Sequence, residues 1–372
     1  MHQVIVSPQS DKFVIVRPGA RKGMHIPHAM YRELSDAVSS GSPVPSWLAD
    51  ASRKAWGLEL SGQPSKETVL VRPITRLNYS RATWEINKGC NFNCEHCYLA
   101  ERKFEGLPRD EKSQLLAMLR DAGVLWLQFT GGEPTIDRDF PDAYREAYGA
   151  GMMIEILTNG SRLHQPRTID LLVSMPPHKV TVSLYGASAD TFDSLTRKTG
   201  AFRLLMKGLS AAREAGVSLE LALIITKYNA HEVEAMRAIG DEYATTYSEY
   251  GNISPTYDGN PEPLAAQAPG FLNKSTVFNG CPAGHTFFHV DPHGWVTMCK
   301  VGRENPINLM AEGLPGLLRL PAIADAQMLR SGGCSGCQLS ATCRVCRPLA
   351  KAYQEAKAPL ETYCQHGNGD AA

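Results

Sequence analysis

The sequence predicts an α/β protein centred on a partial (β/α)6 barrel, TIM-like in its alternation but two units short of the usual eight. A small winged-helix-like module precedes the barrel and a cysteine-rich domain follows it. Three observations predict this. Between Arg81 and about Gly251, strand-sized apolar runs alternate with amphipathic stretches, so the strands pair in parallel through right-handed crossovers. Before that region lies a separate strand-and-helix pattern. After it, seven of the ten cysteines sit among short elements that cannot build a large apolar core unaided.

The first unit reads from Met1 to about Leu58. Val4-Ile5-Val6 and Phe13-Val14-Ile15-Val16 form paired strands around a polar turn. Ile26, Met30, Leu34, Ala37 and Val38 recur at helical spacing, as do Trp47, Ala51 and Ala55 after a Gly/Ser/Pro break. Such a unit suits a winged helix, or an extension that simply packs on its neighbour. With its linker it occupies residues 1–80. The barrel follows over 81–252, with strands expected at Ala82–Asn87, Leu125–Thr130, Met152–Thr158, Lys179–Ser183, Leu219–Thr226 and Ala244–Tyr250. Residues 253–280, rich in Pro, Gly and Ala, read as a linker or long surface connection. In the last domain, 281–372, Thr286–Val290 and Trp295–Cys299 flank Asp291-Pro292-His293-Gly294, a hairpin signal.

Composition narrows the function. The 38 basic and 38 acidic side chains cancel, which excludes bulk positive charge as a means of gripping nucleic acid. No apolar run approaches the roughly 20 residues that span a bilayer. Met1 to Gly23 lacks the parts of a secretory signal, so a cytoplasmic protein is expected, with neither a membrane nor a nucleic acid as partner. Cysteines in a reducing compartment are better read as metal ligands than as disulfides.

Cys90-x3-Cys94-x2-Cys97 follows the first barrel strand, and loops at the C-terminal ends of parallel strands are where α/β sites form. A structural zinc wants a fourth ligand, and His96, wedged between Cys94 and Cys97, is awkwardly placed to supply it. An iron–sulfur cube on three cysteines instead leaves one iron open to a small molecule. This spacing, with Tyr98 after the last cysteine, resembles the signature of the radical SAM (S-adenosylmethionine) superfamily.

Other motifs agree with the resemblance. Thr130-Gly131-Gly132-Glu133-Pro134 caps the second strand as the family's GGE motif does. Gly131 and Gly132 let backbone groups come close to a ligand, and Glu133 is able to accept from an ammonium. The resemblance implies that Ser183 binds the ribose, Asn159 lines the same pocket and Arg197 lies near the SAM carboxylate. It further implies that Ile224-Ile225-Thr226, Ile225 at its centre, reads adenine through its backbone. Periodicity alone makes the isoleucines buried strand. The chemistry so implied is electron transfer from the cube to the SAM sulfonium, then hydrogen abstraction by the 5′-deoxyadenosyl radical.

Cys281-x12-Gly294-x4-Cys299, followed by Cys334, Cys337, Cys343, Cys346 and Cys364, resembles the SPASM domain, an auxiliary-cluster module of radical SAM enzymes. One spacing departs: two residues separate Cys343 from Cys346 where the family usually has three. The resemblance implies an outer cluster on Cys334, Cys337, Cys343 and Cys364. It places an inner one on Cys281, Cys299 and Cys346, with an open iron or a non-cysteine ligand. His285 is a candidate for that ligand, or else a hairpin residue. Three 4Fe–4S clusters follow, one binding SAM and two auxiliary. A pair of zinc knuckles is the alternative reading of this array.

Sulfatase-maturing relatives place an aspartate base after the inner-cluster cysteine. Here Lys300 follows Cys299, which disfavours that assignment. No cobalamin-domain-sized extension precedes the knot. The resulting expectation is an oxidoreductase of a ribosomally made natural-product (RiPP) pathway. It would act on a precursor peptide whose leader adds a strand to the first module, and form a carbon–carbon or thioether crosslink. A flavodoxin or ferredoxin would serve as reductant. Oxidation of a small or carrier-bound substrate is the rival enzymatic reading, and a non-catalytic zinc-binding interaction protein the rival of another class. No catalytic acid or base is assigned; Lys300, Asp291, His293 and Tyr185 are candidates for lining a pocket.

Overall fold

A computed structural model describes residues 2–272, except 10, 78 and 100, and residues 281–366, except 342, 344 and 365. The expected linker therefore lies partly outside the described residues, at 273–280.

In the first unit β1 (Val4–Gln9) and β2 (Lys12–Val16) pair antiparallel as the sequence suggests. Two short strands join them: β3 (Met24–Ile26), antiparallel to β2, and β4 (Val69–Val71), parallel to β1, after the helices α1 (His28–Ser40), α2 (Ser46–Trp56) and α3 (Ser65–Thr68). Ile26 was expected on a helix and is strand instead. Pro27 follows it, and the residue before a proline is pushed to extended backbone. Helix α1 buries Tyr31, Leu34 and Ala37, and α2 buries Leu48, Ala49 and Ser52. Trp47, Ala51 and Ala55 were expected on that inner face. The Trp47 ring stays at the rim because its indole N–H donates to Glu33 at 3.0 Å. Leu60 and Val69 complete this core, so the unit runs past Leu58.

The opposite face of this sheet packs Ile5, Val14 and Val16 against Leu125 and Met153, at the N-terminal ends of two barrel strands. Arg72 fastens the same junction. Its guanidinium is buried, donating to Ser7 Oγ at 3.3 Å and to the Val124 carbonyl at 2.7 Å.

Six parallel strands follow in sequential order: β5 (Arg81–Glu85), β6 (Trp126–Thr130), β7 (Met153–Thr158), β8 (Lys179–Leu184), β9 (Leu219–Ile224) and β10 (Thr246–Tyr250). Each lies within two residues of its expected limits. Between them run α4 (Arg109–Asp121), α5 (Phe140–Gly149), α6 (Pro166–Ser174), α7 (Ala189–Thr196), α8 (Ala201–Glu214) and α9 (Val233–Tyr243). The free edge of β5 is taken by β11 (Phe287–Val290), parallel to it, then by β12 (Trp295–Thr297) and β13 (Ile307–Asn308). The expected hairpin thus extends the barrel sheet. Its turn closes on Asp291 Oδ1, which accepts from His293 N and Trp295 N, and Gly294 takes the φ of +81° that the turn requires.

The cysteine-rich segment shares the barrel core. Phe288, Val290, Val296 and Ile307, with Leu320 of α11 (Leu320–Gln327, after α10, Leu309–Gly316), join Trp84, Leu127 and Phe129 in one cluster. Then come α12 (Arg347–Glu355) and α13 (Leu360–Tyr363). Among the described residues no helix is long and apolar enough to cross a membrane.

Candidate active site

The cysteine loop leaves β5 through Ile86–Gly89 and lies directly on the Gly131-Gly132 turn at the end of β6. Gly132 N donates to the Asn87 carbonyl at 3.0 Å and Glu133 N to the Gly89 carbonyl at 2.8 Å. A Cβ on Gly131 would fall 2.2 Å from Asn87 O, and one on Gly132 2.1 Å from Gly89 O. The glycines thus permit contact between two loops. Beneath them, buried Lys112 bridges Asp137 and Asp139 at 3.0 Å, and Asp137 accepts from Asn87 at 3.2 Å.

Cys90, Cys94 and Cys97 line one cavity of about 300 Å3, together with Gly131, Gly132, Asn159, Ser183 and Tyr185. Burial, with Glu133 nearby, pushes the Cys90 thiol up to about 12; burial and its two sister thiols raise Cys94 as well. Such thiols become good ligands when a metal centre takes their protons. Among the described residues no three His, Cys, Asp or Glu side chains converge tightly enough to grip a single ion. Zinc ligands meet at a point, whereas the thiolates of an iron–sulfur cube are spread over its corners. Three thiols lining one cavity are the donor set such a cube takes. His96 turns to the Tyr185 ring, centroids 4.9 Å apart, and burial lowers its pKa to about 4.

The GGE glutamate behaves differently from expectation. Glu133 is wholly buried and does not line the cavity. Its oxygens accept from Thr158 Oγ1 at 2.7 Å, Asn159 N at 2.6 Å and Thr135 N at 3.0 Å. It thereby joins the ends of β6 and β7. Asn159 reaches Asn91 Oδ1 at 3.0 Å and lies 3.9 Å from Cys90 Sγ, tying the β7 end to the cysteine loop.

Ser183 faces the cavity as expected. Arg197 does not line it, and the Ile225 side chain is buried, as strand periodicity expects of a residue implied to act through its backbone. Arg197 caps α7 in a left-handed conformation and pairs with Glu95 at 3.7 Å, on a neighbouring cavity that Cys94, Cys97 and Arg102 also line. Arg102 lines the cavity, as Lys300 does, and donates to the Cys94 carbonyl at 2.8 Å. Ile225 is buried against Val233 and Ala268, and Ile224 lines the cavity instead, as strand alternation requires. The expected surface connection also contributes wall: Asn252, Ile253 and Ser254 face the cavity, and the Ile253 carbonyl accepts from Tyr353 at 2.8 Å.

Tyr98, Ser254 and Lys300 line both this cavity and a second, of about 530 Å3, bounded by the 254–259 and 300–304 loops, the end of α11 and α12. Behind Tyr98 lies a buried charge group. Glu85, at the end of β5, accepts from Tyr98 Oη and from Arg303 Nη2, both at 2.8 Å, with His289 Nε2 at 3.4 Å. Burial opposes ionisation there, but His289, Arg303 and Lys300 outweigh it and hold the carboxyl well below its usual range. Spacing did not single out Glu85, His289 or Arg303. The available signal was an acidic residue between Trp84 and Ile86 at a strand end facing the barrel interior. Of the other residues named for a pocket, Tyr185 lines the first cavity, Asp291 closes the hairpin turn and His293 pairs with Glu105 at 3.6 Å.

In the C-terminal segment, burial raises the Cys346 thiol, with Cys299 and Cys281 adding to it, so these three lie near one another. Burial opposes thiolate at Cys343 too, yet hydrogen bonds from Val345, Arg330 and Arg347 bring it below its usual value. Cys334 accepts from Gln354 at 3.1 Å and, with Cys364, acts on Tyr363. Cys337 is exposed, and all ten cysteines are free of disulfides. His285 lies in the turn before β11 and pairs with Asp325 at 2.8 Å at the surface.

Residues 84–239 match the model of the Radical SAM superfamily. They form a radical SAM domain, and that family implies SAM and a 4Fe–4S cluster. Among curated proteins it is similar to the mycofactocin maturase MftC of Mycobacterium ulcerans, 27% identical over 237 residues, 59% of this chain and 63% of that one. It is also similar to the AdoMet-dependent heme synthase of Methanosarcina barkeri, 27% identical over 180 residues, 48% of this chain and 51% of the other. The chain thus spans less than two thirds of these relatives. Among solved structures, Streptococcus suis SuiB bound to its precursor peptide SuiA superposes with a TM-score of 0.60 at 15% identity, covering 92% of this chain and 93% of that. Native anSMEcpe with bound AdoMet and Cp18Cys peptide gives 0.52 at 14% identity, covering 76% and 96%. At such identities the likeness is one of fold.

Proposed function

We propose that this protein is a radical SAM/SPASM peptide maturase that crosslinks a ribosomally made precursor. One observation carries the reading: the cysteine-lined cavity adjoins, across Tyr98, Ser254 and Lys300, a larger cavity walled by the C-terminal segment, so a substrate entering there meets SAM end-on. Cys90, Cys94 and Cys97 would hold the SAM-binding cluster. Cys334, Cys337, Cys343 and Cys364 would hold an outer auxiliary cluster, and Cys281, Cys299 and Cys346 an inner one. A cluster so held would supply one-electron reduction of bound SAM, the chemistry that takes hydrogen from carbon.

The chain's own part is placement. Asn159, Ser183 and Ile224 line the SAM side, and Glu133 fixes the loop that carries Asn159. Tyr98, held by Glu85, and the 252–254 backbone separate the two cavities and limit the opening through which substrate approaches. The first module would hold the leader as an added strand, with an edge of its four-stranded sheet as the docking site. A flavodoxin or ferredoxin would deliver electrons.

The test is anaerobic reconstitution with iron and sulfide, followed by incubation with SAM, reductant and a short peptide encoded beside the gene. Production of 5′-deoxyadenosine and loss of two hydrogens from the peptide support crosslinking. A colourless, zinc-loaded protein inert to SAM would rule it out. The similarity to a heme synthase favours one second reading, oxidation of a small substrate, marked by 5′-deoxyadenosine formation with the peptide unchanged.

A further inference from the structure

The cavity beyond Tyr98 carries an unequal set of charges. Of its three cations, Lys351 pairs with Glu304 and Glu355 of the same wall. Arg303 pairs with Glu85 at 2.8 Å and lies over the Tyr257 ring, 5.1 Å from its centre. Lys300 differs. Among the described residues its Nζ makes no hydrogen bond or ion pair; it rests over the Tyr98 ring, 4.5 Å from the centroid. Glu85 is near enough to be felt, but its Oε1 is already shared by Arg303 and Tyr98. Lys300 is also one of three residues that line both cavities.

A cation over an aromatic face is partly stabilised. An ammonium withdrawn from water is held far better by a charge-assisted hydrogen bond. Every carboxylate among the described residues that line the larger cavity is already paired, so none of them supplies the missing anion.

The geometry points to Lys300 as the receptor for a carboxylate of the substrate, held where the two cavities meet so that the carbon bearing it lies beside the SAM site. This rests on the larger cavity being the substrate's, and it names the substrate class: a peptide presenting an acidic side chain or its own terminal carboxylate. Lys300 acts here as a specificity and positioning residue.

The test uses the anaerobically reconstituted holoenzyme with SAM and three small probes. N-acetylaspartate N-methylamide carries a side-chain carboxylate, N-acetylalanine a main-chain carboxylate, and N-acetylalanine N-methylamide neither. Binding is read by titration calorimetry, with ligand-observed NMR for the weaker probes. At least one carboxylate is expected to bind about tenfold more tightly than the neutral probe, the scale of a hydrogen bond between charged groups. That preference is expected to disappear in Lys300→Met and persist in Lys300→Arg. The better of the two carboxylates tells an acidic side chain from a chain terminus. Equal binding of all three probes, or a preference unchanged in Lys300→Met, overturns the inference. Should Lys300→Met not fold, Lys300→Gln takes its place and the wild-type comparison still decides. Cleavage of SAM by the unsubstituted enzyme is measured alongside. Its absence counts against the radical reading, whereas cleavage without carboxylate preference counts against Lys300 alone.

Discussion

Two glycines and one glutamate set the geometry of the cysteine loop. Gly132 has no room for a side chain because the Gly89 carbonyl occupies the place of its Cβ. Gly132→Ala must push the cysteine loop away, a strain of about 1–3 kcal/mol, and is expected to lower bound iron and weaken SAM binding together. Iron analysis and equilibrium dialysis check this; a variant with full iron and unchanged affinity would contradict it. His289 is a separate case. Burial holds its imidazole below the ordinary 6.5, so the unfolded chain takes up a proton before the folded one does. Its contribution to stability is complete above that value and is lost as pH falls through the folded value. Thermal midpoints of the metal-free protein should therefore fall more steeply from pH 7 to 5 than those of His289→Gln. Parallel curves would show that His289 plays no part.

At the scale of elements, β5 to β9 were legible because buried parallel strands leave apolar runs between helical periods; β10, an edge strand of sequence TYSEY with no buried residue, leaves no such run and was placed by the alternation alone. Short edge strands leave no such run. β3 and β4, three residues each, pair only because β1 and β2 are already in place. At the site, ligand types were legible and directions were not. Spacing identified the cysteines and the GGE turn, but alternation along β9 decides that Ile224 rather than Ile225 meets the cavity, and the left-handed cap of α7 turns Arg197 toward Glu95. Composition along 253–280 said nothing of a cavity, yet Ile253 and Ser254 at its start line one. Among the described residues between α11 and α12, the helical elements are two short 3-10 turns, Gly332–Cys334 and Gln338–Ala341. That stretch lacks the apolar contacts to hold itself, so removing iron with a chelator is expected to open residues 329–346 to protease while the barrel strands stay protected. Hydrogen exchange with limited proteolysis reads this directly; equal protection with and without iron would show that the segment needs no cluster.

Across the whole molecule, the first unit packs beneath the N-terminal ends of the barrel strands, while the cysteine loop and both cavities lie beyond the C-terminal ends. A leader held on that unit would have to pass around the barrel to bring its core to the mouth. Arg72 couples the two bodies through carbonyls alone, and burial lowers its pKa to about 10. Arg72→Met is expected to cost about 1.5–3 kcal/mol, as for hydrogen bonds from a charged donor. It should lower the thermal midpoint without changing SAM affinity; an unchanged midpoint would show the contact to be dispensable.

The central claim is that Cys90, Cys94 and Cys97 hold a cube with one iron open to SAM. Electron paramagnetic resonance of the reduced, anaerobically prepared protein, with every C-terminal cysteine replaced by alanine, tests it most directly. The account predicts a cubane signal that shifts when SAM is added and vanishes in Cys94→Ala. A signal indifferent to SAM, or none at all from protein that still binds iron, would contradict it.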